Sequence, residues 1–427
     1  MNKIDFSFIN IKTNTLPNTI KIKLSPNLIK IKLNIFNLTN YELVNELKKF
    51  ENIINIYNSI RKINLIFDKT IDIKKTNHII TKIHNVLYQY YNITNKIKLS
   101  KVTKESNNLM LELDKYKSIV MDPNKNPNTY LAYVKSRVPL THKISVYNIK
   151  KSNEFPLSKA VGAGSIYPAY FVHIKPKQIN SEKLNVYLVG KAITFDSGGM
   201  NIKDGSMVDM KIDMAGSAII ISVLNLISQT ESKSKLNIHL IIPIVENMIG
   251  ATATKPGMVV KTTGGKVVEI TNTDAEGRLC LADGFEFVQQ KLISKKDINK
   301  SLIIDVATLT GNTTQITDGI TSIISSNEKG KEYTNQMIEI GEEIGEYVEY
   351  IHTRREYLDM FKSKVADIKN APLGIKCGFV LGSTFLNYFI NKEIPWIHID
   401  LGKGIFQNEI TKSHGVNLLL EFLKKID

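Results

Sequence analysis

Hydrophobic and polar positions change rhythm along this chain. From residue 1 to about 118, short isoleucine-rich runs (IKIKL, LIKIKLNIF, KINLIFD) alternate with helical patterns such as Tyr41–Phe50 and Asn77–Tyr90, which predicts a small α/β unit. MDPNKNPN (121–128) sets two prolines among Asn and Asp, a boundary signal, and a helical segment follows from about Thr129. The expected organisation is therefore a divergent, basic N-terminal α/β domain over 1–118, a linker and connecting helix over 119–135, and a larger domain over 136–427.

In the larger domain glycines cluster and the period shifts between two and 3.6. Strands are expected at Leu184–Val189, Leu236–Val245, Val267–Thr271 and Leu302–Val306, and helices at Ala215–Gln229 and Leu279–Ile293. IGEEIGEYVEYIH (340–352) reads as one amphipathic helix. Strands alternating with helices give an α/β fold with a mostly parallel sheet covered by helices on both faces. Ligands in such folds sit outside the carboxyl ends of the strands. There is no internal repeat and no coiled-coil heptad.

Composition narrows the class. With 427 residues and 43% hydrophobic content the chain can bury a sizeable core, which excludes global disorder. Two cysteines, Cys280 and Cys377, can form neither a disulfide framework nor a thiolate zinc cluster, and a reducing compartment is expected. No apolar run reaches the roughly 18 residues of a membrane span. The N-terminal MNKIDFSFINIKTN lacks an apolar signal core, so a soluble, cytoplasmic protein with no membrane partner is expected. The net charge of +15 is confined to one end. Residues 1–150 hold 25 Lys and Arg against 10 Asp and Glu, and the remainder holds 31 of each. Solvated lysines in a chain rich in Lys, Ile and Asn account for this, and a nucleic-acid surface is the alternative.

Two stretches carry candidate chemistry. In VGKAITFDSGGMNIKDGSMVDMKIDMAG (189–216) a strand runs into Lys191, then Asp196, a Ser-Gly-Gly turn, Lys203, and Asp213 ahead of a helix. In EITNTDAEGRLCLADG (269–284), Asp274 and Glu276 lie two apart after a strand, with Arg278 at the start of a helix whose N-terminus suits an anion. A single loop aspartate is most often a turn or capping residue, and Asp213 could cap the helix beginning near Ala215. Together, three aspartates, a glutamate and two lysines at one sheet edge would repel or desolvate badly without compensation. Hard oxygen donors in that number suit one or two divalent cations and hydrolysis by an activated water.

These stretches strongly resemble the leucine (cytosol) aminopeptidase family of two-metal exopeptidases. The octapeptide NTDAEGRL stands unchanged at 272–279, and VGKAITFDSGG (189–199) with Lys203 and Asp213 matches the second block. ENM (246–248) with Pro256–Gly257, DVATLTG (305–311), VADIKN (365–370) and PWIHIDLG (395–402) agree as well, so the likeness covers roughly 125–427. It implies a tighter metal site of Lys191, Asp196, Asp213 and Glu276, and an exchangeable one of Asp196, Asp274 and Glu276. The ions implied are zinc or manganese, with magnesium and cobalt suited to the same donors. Lys203 would stabilise the oxyanion, and Arg278 would hold a bicarbonate ion that relays a proton. Met210, Thr308, Leu309 and Gly311 match positions around the first side chain or the substrate backbone. Peptides with a free N-terminus and a leucine, methionine or other apolar first residue are the implied substrates, and a homohexamer the implied assembly. Because some relatives bind DNA, a DNA-binding protein retaining a peptidase fold is the alternative function.

Several positions depart from the family pattern. The loop from Lys203 to Asp213 is one residue shorter, Ala192 replaces a frequent glycine, Asn312 follows TLTG where a small residue is usual, and 403–414 differs throughout. His398 beside Asp400 looks like a metal pair but reads as structural, and Cys280 as a small core residue. The eight histidines include no HExxH, and Ser197 lies in no G-x-S-x-G, which excludes the corresponding zinc and serine hydrolases.

Overall fold

The structure, a computed structural model, describes residues 104–427 except 231–233, 312, 318–320, 373, 375–376, 403–405, 408–409 and 412–413. Before residue 104 it describes the backbone of five strands. The expected helices at Tyr41–Phe50 and Asn77–Tyr90, and Asn312, lie outside the described residues. Two compact units divide at Lys115 and Tyr116. In the first, β1 (Ile9–Lys12), β2 (Thr19–Ser25), β3 (Leu28–Asn34), β4 (Ile63–Phe67) and β5 (Ile97–Ser100) pair in chain order. The first three run antiparallel and the last two join in parallel. The runs IKIKL and LIKIKL thus form a hairpin with Lys21 opposite Lys32 and Lys23 opposite Lys30.

The second unit is built on a nine-stranded sheet. In chain order its strands are β6 (His142–Asn148), β7 (Tyr170–Pro176), β8 (Leu184–Gly190), β9 (Ala192–Asp196) and β10 (Leu236–Asn247), then β13 (Ser301–Ala307), β14 (Ser322–Ser326), β15 (Val348–Tyr350) and β17 (Trp396–Asp400). Spatially they run β15-β14-β17-β13-β8-β10-β7-β6, with β9 beside β10. The centre, β17-β13-β8-β10, is parallel, and antiparallel pairings appear only toward the edges. All 12 residues of β10 are buried, as a parallel strand covered on both faces requires. Alternation along the strands sorts the two faces. Tyr187, Val189, Ile241 and Ile303 pack with Phe155, Leu279, Phe285 and Phe385 from the helices on one side. Val186, Leu188, Leu240 and Ile304, equally buried, face the other side, where the Ala215–Ser228 helix lies against β8 and β13. The segment Val208–Ser228 is apolar and long enough to cross a membrane, yet most of it is buried in this core.

Three expectations are adjusted. The 267–271 strand forms as Val267–Ile270 (β12), but in a separate three-stranded sheet between β11 (Met258–Lys261) and β16 (Ile368–Lys369). The helix expected at 279–293 begins at Gly277 and ends its α-helical part at Phe287, continuing as one π-helical turn, Val288–Leu292. The segment 340–352 is not one helix. A helix spans Lys331–Ile344 and stops where Gly345 turns left-handed (φ 69°), so Val348–Tyr350 becomes β15.

Candidate metal and active site

At the carboxyl edge of this sheet β8 and β9 are interrupted at Lys191. Its backbone N–H donates to Val306 of β13 (3.0 Å) and its carbonyl accepts from Ser217 at the start of the next helix (3.0 Å). With both backbone groups taken by neighbouring elements, the side chain enters the cleft. Lys191 Nζ lies 2.8 Å from Asp213, 2.9 Å from Glu276 Oε1 and 3.0 Å from the Thr308 carbonyl. Asp213 thus does not cap the helix beginning at Ala215, the alternative open from sequence. It pairs with Lys191 and accepts from Thr308 Oγ1 (2.7 Å).

Asp196 ends β9. Its Oδ1 accepts from Gly198 N–H (2.9 Å) and Asn247 Nδ2 (2.7 Å), and its Oδ2 lies 2.6 Å from Lys203 Nζ. Lys203 also reaches Asp274 Oδ1 at 2.5 Å. Ligand atoms of Asp196, Asp274 and Glu276 all lie within 4.8 Å of one another, so residues from two distant loops converge on one point. Two glycines permit this crowding. Gly198 has φ 87°, and a Cβ there would meet the Asn201 carbonyl at 2.3 Å; one on Gly277 would strike Lys191 Cε at 2.3 Å.

Electrostatics follow from four carboxylates around two ammonium groups. Burial opposes charge on both lysines, but Asp213, Glu276 and Asp196 outweigh it at Lys191, and Asp196, Glu276 and Asp274 at Lys203, so both amines are held above the ordinary lysine value. Asp213 is pushed up to about 8 by burial, and the neighbouring Glu276 and Asp196 charges add to the rise despite Lys191. Asp274 is pushed up to about 7 by burial, then by Glu276 and Asp196. Burial also works against the Glu276 charge, but Lys191 and Lys203 outweigh it and keep this carboxyl below its usual range. An acidic excess in which Asp213 and Asp274 resist ionisation is what a hard cation would relieve. The donor set therefore fits divalent metal: four carboxylates from Asp196, Asp213, Asp274 and Glu276, with the Lys191 amine a fifth donor once a bound cation displaces its proton.

Arg278, in the first turn of the Gly277–Phe287 helix, donates through Nη1 to the Asn370 carbonyl (2.9 Å). Its Nε is buried without a hydrogen-bond partner, and burial lowers the guanidinium to about 10. A buried cation with an orphaned donor at a helix N-terminus fits an anion. Of the expected pocket residues, Thr308 touches the cluster directly. Leu309 N–H donates to Asp400 Oδ1 (3.0 Å), Gly311 is exposed, and half-buried Met210 sits in the turn Val208–Ile212, its carbonyl accepting from Asp213 N–H. His398 joins no metal-type cluster among the described residues and instead pairs with Asp305 at 2.6 Å.

Sequence reasoning missed the amides behind the loops. Asn247 ties Asp196 to the Thr273 carbonyl, which Nδ2 reaches at 3.1 Å, and Asn370 braces the 271–275 backbone. ENM and VADIKN, both legible as short matches, were the available signals.

The catalytic-domain model of the cytosol aminopeptidase family matches residues 113–419. The chain belongs to the cytosol aminopeptidase family. It is 33% identical over 320 residues to a probable cytosol aminopeptidase of Phytoplasma australiense, covering 72% of this chain and 63% of that one. It is 37% identical over 273 residues to leucine aminopeptidase 1 of Arabidopsis thaliana, covering 62% and 50%. The chain thus spans less than two thirds of either relative. Its fold is similar to that of the bottromycin maturation enzyme BotP in complex with Mn, with TM-score 0.77 and 22% identity over 93% of this chain and 90% of that one. Family membership places the cluster at 191–278 inside the matched domain.

Proposed function

We propose that this chain is a metal-dependent aminopeptidase that releases N-terminal residues, leucine, methionine and other apolar ones foremost, from peptides. The observation that carries the reading is the convergence of Asp196, Asp274 and Glu276 within 4.8 Å, beside two lysines and in a chain of the cytosol aminopeptidase family. Two divalent cations, zinc or manganese in first place with magnesium and cobalt suited to the same donors, would supply an activated water and an anchor for the substrate's free α-amine. Manganese is also the ion named with BotP.

The chain's own residues account for the rest. Lys191, Asp196, Asp213 and Glu276 would hold one ion, and Asp196, Asp274 and Glu276 the other. Lys203, in reach of both Asp196 and Asp274, turns its ammonium to the oxyanion as the carbonyl becomes tetrahedral, a contribution of about 3 kcal/mol. Arg278 would hold a bicarbonate ion, which would supply a proton relay between the water and the leaving amine. Thr308, Leu309 and Gly311 border the substrate backbone, and Met210 the first side chain. The names of the relatives favour a cytoplasmic protein, and a homohexamer is the assembly proposed. Neither family nor relatives lend support to the DNA-binding alternative.

The test compares Leu-p-nitroanilide with N-acetyl-Leu-p-nitroanilide, before chelation, after it, and after adding back manganese or zinc. Cleavage of the free-amine substrate alone, lost on chelation and restored by metal, is the expected result. Equal cleavage of the acetylated substrate, or activity indifferent to chelation, would overturn the reading.

A further inference from the structure

We infer that Asn370 is a positioning residue for the metal-carrying loop 271–278, acting through the backbone that presents Asp274, Glu276 and Arg278. The inference rests on the metal-site reading above. Asn370 is fully buried, and its amide is saturated by one loop. Its Oδ1 accepts from Thr271 N–H (2.9 Å), Thr271 Oγ1 (3.2 Å) and Asn272 N–H (3.2 Å), while its Nδ2 donates to the carbonyls of Asn272 (2.6 Å) and Ala275 (3.3 Å). Its own carbonyl accepts from Arg278 Nη1 (2.9 Å). One side chain thus fixes the backbone on both sides of Asp274, while the same residue's carbonyl anchors the guanidinium.

The architecture explains why this residue holds so steady a position. Asn370 follows β16, which pairs in parallel with β12, the strand leading into the loop, and its N–H donates to the Glu269 carbonyl (2.9 Å). The small sheet β11-β12-β16 therefore delivers the amide to the loop from about a hundred residues downstream. Only a side chain that both donates and accepts satisfies the contacts. An aspartate of the same shape would keep the acceptor but turn oxygen toward the carbonyls of Asn272 and Ala275 and repel them. The loop would shift, and carboxylates aimed at a common point tolerate little displacement.

The experiment uses the full chain as wild type, Asn370→Asp, Asn370→Ser and, as reference, Asp274→Asn. Binding of Mn2+ alone to the chelated proteins is measured by calorimetry, together with kcat and KM for Leu-p-nitroanilide at saturating Mn2+. Asn370→Asp is expected to weaken Mn2+ binding and lower kcat by about 10- to 100-fold each, with KM held within about threefold. Asn370→Ser, the variant that carries the test should the aspartate fail to fold, is expected to move the same two quantities. Loss of thermal stability with Mn2+ affinity and kcat unchanged in a folded variant would overturn the inference, because bracing alone does that. If Asp274→Asn loses binding and turnover while the Asn370 variants keep both, the positioning role falls and the metal site stands. If Asp274→Asn itself binds and turns over as wild type, the metal-site reading falls, and this inference with it.

Discussion

Two sets of buried charges sit in the same sheet and solve the same problem differently. Between β13 and β17, Asp305 lies against His398 Nδ1 at 2.6 Å and accepts from Trp396 Nε1 at 2.8 Å. Burial works against the His398 charge, but Asp305 outweighs it and holds the imidazole above its ordinary value. There is one anion, one cation and a donor for each carboxylate oxygen. At the carboxyl edge, Asp196, Asp213, Asp274 and Glu276 share Lys191 and Lys203, an excess of two formal negative charges. That pair is balanced in charge, although His398 Nε2 is buried without a hydrogen-bond partner. An overloaded cluster marks a place where something positive is expected to bind.

Substitutions should separate the two sets. Asp274→Asn is expected to lower kcat/KM more than about a thousandfold, because several kcal/mol of metal-supplied stabilisation go with the ligand. The thermal midpoint of the chelated protein should not fall, since Asp274 is pushed up to about 7 by burial and then by Glu276 and Asp196, and so is disfavoured as an anion there. Parallel assays of turnover and melting after chelation check both halves. Lys203→Met is expected to lower kcat by about 10²- to 10³-fold with little change in KM, measured by steady-state kinetics. Asp305→Ala should act the opposite way to Asp274→Asn. It strands the Trp396 indole and the His398 imidazole, and at about 1–3 kcal/mol for each buried donor the unfolding free energy drops by several kcal/mol, read by urea denaturation.

A pair of buried histidines gives a pH test. His173 Nε2 and His239 Nδ1 lie 3.1 Å apart across β7 and β10, and burial lowers them to about 4 and about 3, helped by Lys175 and, at His239, by His173 and His142. Their pKa values in the fold lie below the ordinary 6.5, so they contribute stability that is complete above pH about 6.5 and is lost as pH falls toward about 4. The slope is about 1.4 kcal/mol per pH unit for each histidine. Urea unfolding at stepped pH should show that limb, and His173→Gln with His239→Gln should flatten it. The smallest effect expected is in the turn Val208–Ile212, where Met210→Ala should reduce the preference for Leu over Ala as first residue by about tenfold if the proposed role of Met210 holds, read from kcat/KM on the two p-nitroanilides.

The division between legible and hidden features follows from what each one leaves in a sequence. Strands at 184–189, 236–245 and 302–306 were legible because buried parallel strands are short, continuous apolar runs. The cluster from Lys191 to Arg278 was legible because charge packed among glycines at strand ends has few bland explanations. The course of 340–352 was misread because hydrophobic period alone does not reveal that Gly345 adopts φ 69° and ends the helix. The small sheet stayed hidden because β16 joins it by backbone bonding to residues about a hundred positions earlier. Asn247 and Asn370 were missed for a related reason, since an amide satisfied by loop carbonyls and N–H groups leaves no periodicity and no charge to notice. Asp400 is similar. It stands next to His398 in the pattern I-H-I-D, yet its carboxylate accepts from Leu309 N–H, Thr310 N–H, Thr310 Oγ1 and Gly402 N–H, bracing the loop that carries Thr308.

The measurement that bears most directly on the contrast is an anomalous diffraction map of crystals soaked in manganese. The expected map has two peaks per chain, both bonded to Asp196 and Glu276, one shared with Lys191 and Asp213 and the other with Asp274, and none beside Asp305 and His398. A map with no peak among these carboxylates, in crystals that take up manganese elsewhere, would contradict the account.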